Sequence, residues 1–320
     1  MTKIIGFFSH QLSFRGTDVA TYDYAHYNET ILNNKSIIIT KKYDSSKKNE
    51  DTNNIIYDHF QKRFQIIYFN DEKEIETIID QYNIDVLYMI KGGWPEDEII
   101  PKNCKTLIHC VFQSTHKRGD IYVPISQNVN ELSNTNYTVL PHLISLPDTE
   151  ENLRNELKIP ENAIVFGRYG GYNTFDIPFV YNIILNVLYT KPNIYFVFMN
   201  TAKFAEHPNI IYLPSNCDRN YKKKYINTCD ALLHARMQGE TFGLTCGEFA
   251  MYDKPVITYG RSREREHLNT LKEKAIIYNS PQELYDIIIS YHKNKYDMSN
   301  NGYKKYTPEY VMSIFNKMIS

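Results

Sequence analysis

Two glutamates, Glu240 and Glu248, bracket a glycine at position 243 inside the stretch 229–260. Leu244, Phe249 and Ala250 follow at spacings that give a helix one packed face. A helix that opens beside a glycine presents free backbone N–H groups at the positive end of its dipole, which suits an anion. Glu248 stands five residues beyond Gly243, roughly 7 to 8 Å along the axis at 1.5 Å per residue. That is close to the separation between the phosphates and the ribose hydroxyls of a nucleoside diphosphate. The spacing predicts one short helix with a diphosphate on its mouth and a ribose on its carboxylate.

The elements needed to hold such a helix are legible along the chain. Its 320 residues favour two domains. With 42% apolar and 23% charged residues the composition is that of an ordinary globular protein. A net charge of −1 leaves no global field for nucleic acid or anionic lipid. Strand patterns at 3–8, 35–40, 64–69, 84–90, 106–112 and 121–126 alternate with helix patterns at 18–32 and 71–82, and 41–54 reads as a polar surface loop. This is a Rossmann-like unit over residues 1–142. After a proline-marked break, a helix pattern at 149–157 precedes a second alternation. Its strands are at 164–168, 194–199, 210–213, 231–233, 256–259 and 275–278. Its helices are at 176–188, 218–228, 263–273 and 281–291. The second domain is read as 143–305, with a last helix in 306–320. The fold class expected is α/β, two doubly wound domains.

Five scattered cysteines without a C-x-x-C pair argue against a disulfide framework or a zinc site. The apolar run at 4–8 is too short for a signal-peptide core, and no run approaches the length of a membrane span. The expectation is a cytoplasmic protein, with peripheral membrane contact left open.

The segment Glu240-Thr241-Phe242-Gly243-Leu244-Thr245-Cys246-Gly247-Glu248, followed by Lys254-Pro255-Val256-Ile257, resembles the E-x-F-G-x-x-x-x-E signature of GT-B glycosyltransferases of the GT4-like group. The resemblance implies two Rossmann-like domains facing a cleft, with the last helix crossing back to the first. It implies a nucleotide-diphosphate sugar as co-substrate, no metal, and transfer to a glycan, lipid-linked or other hydroxyl acceptor with retention. Glu248 would bind the ribose and Glu240 would lie against the sugar. Thr241, Phe242, Gly243 and Leu244 would carry the diphosphate-binding backbone. Arg168, in Phe166-Gly167-Arg168, resembles the arginine of the family's diphosphate clamp, and a guanidinium fork suits that task. A surface ion pair is its plainer reading. The lysine usual four or five residues on is replaced by Tyr172 and Asn173; Arg236, Arg261 or Arg263, Arg236 first, would supply the second cation, or hydroxyl and amide donors would replace it, or it would not be needed.

Gly16, in Arg15-Gly16-Thr17, resembles a reduced form of the family's glycine loop, and reads equally as a turn with Thr17 or Asp18 capping a helix. His109 stands where the family often has a histidine near the sugar, and reads equally as a bonded core residue. His116 is a looser candidate for that place. Trp94, after Lys91-Gly92-Gly93, is a candidate platform for an acceptor sugar. Lys222-Lys223-Lys224 reads as a solvated helix face. No D-x-D metal motif is present. A sugar-nucleotide epimerase, an inverting transferase and a non-catalytic nucleotide- or sugar-binding module remain as alternatives.

Overall fold

The computed structural model describes residues 2–44, 46, 54–95 and 100–320. Most of the polar loop expected at 41–54 lies outside them. Contacts divide the chain into two units: Met1–Leu143 with Tyr306–Ser320, and Ile144–Lys305.

Unit 1 is built on six parallel strands. They are β1 (Ile4–Ser9), β2 (Lys35–Lys41), β3 (Gln65–Phe69), β4 (Val86–Lys91), β5 (Lys105–Cys110) and β6 (Ile121–Pro124). The order is β3-β2-β1-β4-β5-β6. The chain reverses direction across the sheet between β1 and β4, where ligands of such sheets gather at strand C-termini. Strands such as IIGFFS are apolar on both faces because helices cover both sides of a parallel sheet. The helices are α1 (Gly16–Thr30), α2 (Asn54–Gln61), α3 (Ile75–Tyr82) and α4 (Gln127–Ser133). The chain's last helix, α10 (Pro308–Ile319), belongs to this unit and packs on α1, with Phe315 and Tyr24 ring centres 5.4 Å apart.

Unit 2 repeats the plan. Its strands are β7 (Ile164–Tyr169), β8 (Ile194–Met199), β9 (Ile210–Leu213), β10 (Ala231–His234), β12 (Val256–Tyr259) and β14 (Ala275–Tyr278). The order β14-β12-β10-β7-β8-β9 is the same doubly wound order, with its reversal between β7 and β10. The helices are α5 (Pro178–Thr190), α6 (Arg219–Thr228), α7 (Leu244–Met251), α8 (Glu266–Leu271) and α9 (Pro281–Ile289). Two short strands, β11 (Gly239–Glu240) and β13 (Glu264–Arg265), pair beside α7.

Four differences from the sequence reading have physical causes. The helix expected at 149–157 forms only turns. Arg154 there is captured by the Pro160 and Ala163 carbonyls and by Asp230 at 2.9 Å, and these ties override helical propensity. The helix expected from 263 starts at Glu266, because Glu264 and Arg265 pair with β11 instead. Helices α2 and α4 were not anticipated. Ser126 caps α4 by accepting from the Val129 amide at 3.3 Å. Among the described residues no helix is long and apolar enough to cross a membrane, and no three or more His, Cys, Asp or Glu gather to hold a metal.

Candidate functional site

Gly243 makes the turn into α7 with φ of 82°, a left-handed conformation natural to glycine. A Cβ there would meet the His267 Cβ and the Tyr303 hydroxyl at 3.1 Å. Tyr303 donates to the Phe242 carbonyl at 2.5 Å and fixes that turn. The first amides of a helix have no intrahelical partner, and the Gly243 N-cap supplies α7 no side-chain cap. Thr241 and Phe242 are buried and Leu244 is half-buried.

Glu248 lies on α7 with only 5% of its surface exposed. The Tyr169 hydroxyl, at the end of β7, donates to its Oε2. Burial first, then the Glu248 charge, pushes the Tyr169 phenol well above its ordinary range, so it stays a neutral donor. Lys222 Nζ, on α6, sits 3.0 Å from Glu248 Oε1. The reading of 222–224 as a solvated face is corrected here. Lys222 and Lys223 are buried, and Lys223 is bound to the Thr149 carbonyl at 3.0 Å and to Asn227 at 2.7 Å. The missed signal was spacing: Lys222 shares a helical face with Tyr225 and Ile226, both fully buried.

Glu240 is held from both sides. Arg236 donates to Oε2 at 3.0 Å and His234 Nε2 lies 3.2 Å from Oε1. His234 Nδ1 meets Thr258 Oγ1 at 2.8 Å, and that hydroxyl meets His267 Nε2 at 3.0 Å. Where His234 donates to the carboxylate, Thr258 donates to His234 and accepts from His267, so the protons point one way along this chain. Burial holds His267 down at about 3. Burial would raise the Glu240 carboxyl, but Arg236, His234 and His267 outweigh it and bring it to about 2. Glu240 is therefore a permanent anion near neutrality. It can accept hydroxyls or face positive charge, and it has no proton to donate.

Arg168 ends up inside the protein, 4% exposed. Its two terminal nitrogens donate to the Asn200 and Gly171 carbonyls and the Thr201 and Thr174 hydroxyls. The guanidinium ties the turn after β7 to the turn after β8. Arg261 and Arg263 are exposed.

Gly16 and His109 belong to unit 1, and the α7 residues to unit 2. Gly16 is the first residue of α1, and neither Thr17 nor Asp18 caps that helix. Asp18 instead accepts from the Ser9 hydroxyl at 2.7 Å and from the Ser13 hydroxyl. His109 is fully buried on β5, with Nδ1 2.7 Å from the Tyr88 hydroxyl, and burial lowers it to about 3. His116 is exposed in a loop. A cavity of about 350 Å³ opens where β1 and β4 end, lined in part by Ser9, Arg15, Asp18, Lys91 and Trp94. Trp94 is 41% exposed and stacks on Phe112 with ring centres 5.6 Å apart. Burial raises the Asp18 carboxyl to about 6, against the hydrogen bonds from Ser13 and Ser9 and the charge of Arg15.

Two parallel sheets of one doubly wound order, each flanked by helices, give the chain the fold of the GT-B glycosyltransferases. Anabaena HepE in complex with UDP and glucose is similar over 99% of this chain and 99% of its own, with a TM-score of 0.68 and 12% identity. A glycosyltransferase from Rickettsia africae ESF-5 is similar over 100% of this chain and 94% of its own, with a TM-score of 0.61 and 15% identity. A Listeria monocytogenes protein provisionally named a UDP-N-acetylglucosamine 2-epimerase is similar over 99% of this chain and 95% of its own, with a TM-score of 0.60 and 8% identity. No protein-family model and no curated protein matches the sequence.

Proposed function

We propose that the chain is a glycosyltransferase that moves a sugar from a nucleoside diphosphate sugar to a hydroxyl of a glycan, a lipid or another acceptor. One observation carries this reading: an uncapped helix mouth at Gly243 and a held carboxylate, Glu248, lie on the same short helix. The amides that open α7 receive the diphosphate and stabilise it as it leaves. Glu248 receives the ribose. Glu240 stands against the transferred sugar as a fixed anion. Arg168 shapes the loop around the diphosphate, and Arg236, beside Glu240, is the first candidate for the second cation. Positioning and leaving-group stabilisation supply most of the rate, and no metal is invoked. The HepE complexes with UDP and glucose and with UDP-glucose support a nucleotide sugar as donor for this fold.

The cavity of unit 1 is the acceptor side of this reading, with Trp94 as the stacking surface. Retention is the outcome implied by the GT4-like segment. Inversion is the second reading, favoured by Asp18, whose pKa of about 6 suits a base taking a hydroxyl proton near neutrality. The anomeric configuration of the product, read by proton NMR, decides between them. The five free cysteines fit a cytoplasmic setting.

The test offers UDP-, GDP-, dTDP- and ADP-sugars to the protein and follows nucleotide release, transfer and epimer formation. Transfer or donor hydrolysis supports the proposal. Nucleotide binding without turnover of any donor makes the chain a binding module, and C2-epimer formation makes it an epimerase.

A further inference from the structure

We infer that Lys222 is a positioning residue for Glu248, and that with the Tyr169 hydroxyl it sets the site for ribonucleoside rather than 2′-deoxyribonucleoside diphosphates. The inference rests on the reading of Glu248 as the ribose-binding residue.

A carboxylate offers about four lone-pair positions, two on each oxygen. Lys222 Nζ takes one on Oε1 at 3.0 Å, and the Tyr169 hydroxyl takes one on Oε2. One acceptor position then remains on each oxygen. Two adjacent hydroxyls, each donating to its own oxygen, fill that pair. A 2′-deoxyribose brings one hydroxyl and leaves a buried acceptor unmet, the kind of loss that discriminates strongly between close analogues.

Holding the carboxylate in that pose needs both fixed donors. Glu248 is 5% exposed, so its charge must be balanced inside the protein. Lys222 does this from a second element, since α6 presents it on the face that carries Tyr225 and Ile226. Its ammonium also lies 5.5 Å from the centre of the Tyr169 ring. The three groups thus brace one another across β7, α6 and α7. Neighbouring Lys223 is tied to Thr149 and Asn227, so the lysines of this run are not interchangeable.

The test is calorimetric titration of the full chain with UDP, 2′-deoxy-UDP, GDP and 2′-deoxy-GDP, reading the ribo-to-deoxy affinity ratio on whichever base binds. The wild type is expected to favour the ribonucleotide by roughly tenfold or more. Glu248→Gln is expected to abolish the preference. Lys222→Met is expected to bring the ratio within about threefold of unity by weakening the ribonucleotide, and Lys222→Arg to restore part of it. Should Lys222→Met not fold, Lys222→Ala also removes the donor and the same ratio is read on it. The double variant Lys222→Met, Glu248→Gln carries no charge at either position and serves as the folding control.

A wild-type ratio preserved in Lys222→Met or Lys222→Ala, while Glu248→Gln abolishes it, overturns the role of Lys222 and leaves the ribose reading standing. No preference in the wild type, or no binding of any of the four nucleotides, sinks the ribose reading and the inference with it.

Discussion

The two sheets share one strand order and use it in opposite ways. In unit 2, the residues around the reversal between β7 and β10 are charged and pinned. Glu248 is held by Lys222 and Tyr169, Glu240 by Arg236 and His234, and Arg168 by four acceptors. In unit 1, the reversal between β1 and β4 opens into a cavity, and the buried carboxylate there is held by hydroxyls. The consequence is electrostatic. Against its burial, the Arg236 charge and then the His234 hydrogen bond bring Glu240 to about 2, whereas burial beside hydroxyls leaves Asp18 at about 6. One scaffold thus carries a fixed anion in one unit and a group that titrates near neutrality in the other. The scaffold itself dictates neither; the partner supplied by a neighbouring element does.

Removing a pinned charge from unit 2 gives the largest expected effect. On the proposed reading, Glu248→Ala deletes two charge-assisted contacts to the ribose, and kcat/KM for donor is expected to fall by roughly 10²–10⁴-fold. It also strands the Lys222 ammonium, which costs about 3–5 kcal/mol, or roughly 6–20 °C in Tm for a unit of this size. Unchanged nucleotide affinity in a folded Glu248→Ala protein removes the site from unit 2. Glu240→Gln comes next. It keeps the shape and removes the anion, so turnover is expected to drop by roughly 10–100-fold while nucleotide affinity holds. Parallel kinetics and titration separate the two effects. Its pH signature has a fixed sign. The folded carboxyl titrates at about 2, below its ordinary value of 4.5, so it stabilises the fold above about 4.5 and loses that contribution as pH falls toward 2. The difference in Tm between wild type and Glu240→Gln is therefore expected to shrink on acidification through that window.

How much of this was legible in the sequence follows the same division. Two doubly wound α/β units and all twelve strands of their sheets could be read, because buried parallel strands are short apolar runs between turn signals, and the resemblance of 240–248 implied the GT-B fold. The α7 segment stood out because Phe242, Gly243 and Glu248 sit close together in the chain. The partners did not. Lys222 is 26 residues from Glu248 and Tyr169 is 79, and nothing local marks either as its partner. Burial of Lys222 was readable only from its spacing to Tyr225 and Ile226, and three consecutive lysines masked it. Arg168 shows the converse. Its position in Gly167-Arg168 was visible, but its four acceptors come from loops that no spacing rule predicts. Thr17 and Asp18 are both candidate caps from their place at a helix start, whereas the partners of Asp18, Ser9 and Ser13, precede that helix.

A gentler perturbation tests the open side of the comparison. Trp94→Ala removes a half-exposed ring from the rim of the unit 1 cavity. Stacking of this kind is worth about 0.5–1.5 kcal/mol, so KM for acceptor is expected to rise by roughly 2–10-fold. Donor KM and nucleotide affinity are expected to stay put. An equal change in donor KM breaks the division of labour between the units.

The smallest expected effect is on the stability of unit 1. Asp18 titrates at about 6 in the fold against an ordinary value of 3.8, so the folded state holds its proton more tightly than the unfolded chain. The sign follows: its contribution to stability is fully present below about 3.8 and is lost as pH rises through about 6. Above that, the wild type carries a buried charge that the Ser13 and Ser9 hydroxyls, the Ser13 backbone and the nearby Arg15 charge balance only in part. Asp18→Asn keeps the size and a side-chain oxygen for one serine, and removes the charge. Its Tm relative to wild type is expected to rise between pH 4 and pH 7. At roughly 2–4 °C for each kcal/mol, the change amounts to a few degrees. Paired thermal melts at the two pH values measure it. A difference that stays flat, or that moves in favour of the wild type as pH rises, means that Asp18 is ionised and satisfied like the carboxylates of unit 2. The contrast between the two reversals would then be one of shape alone.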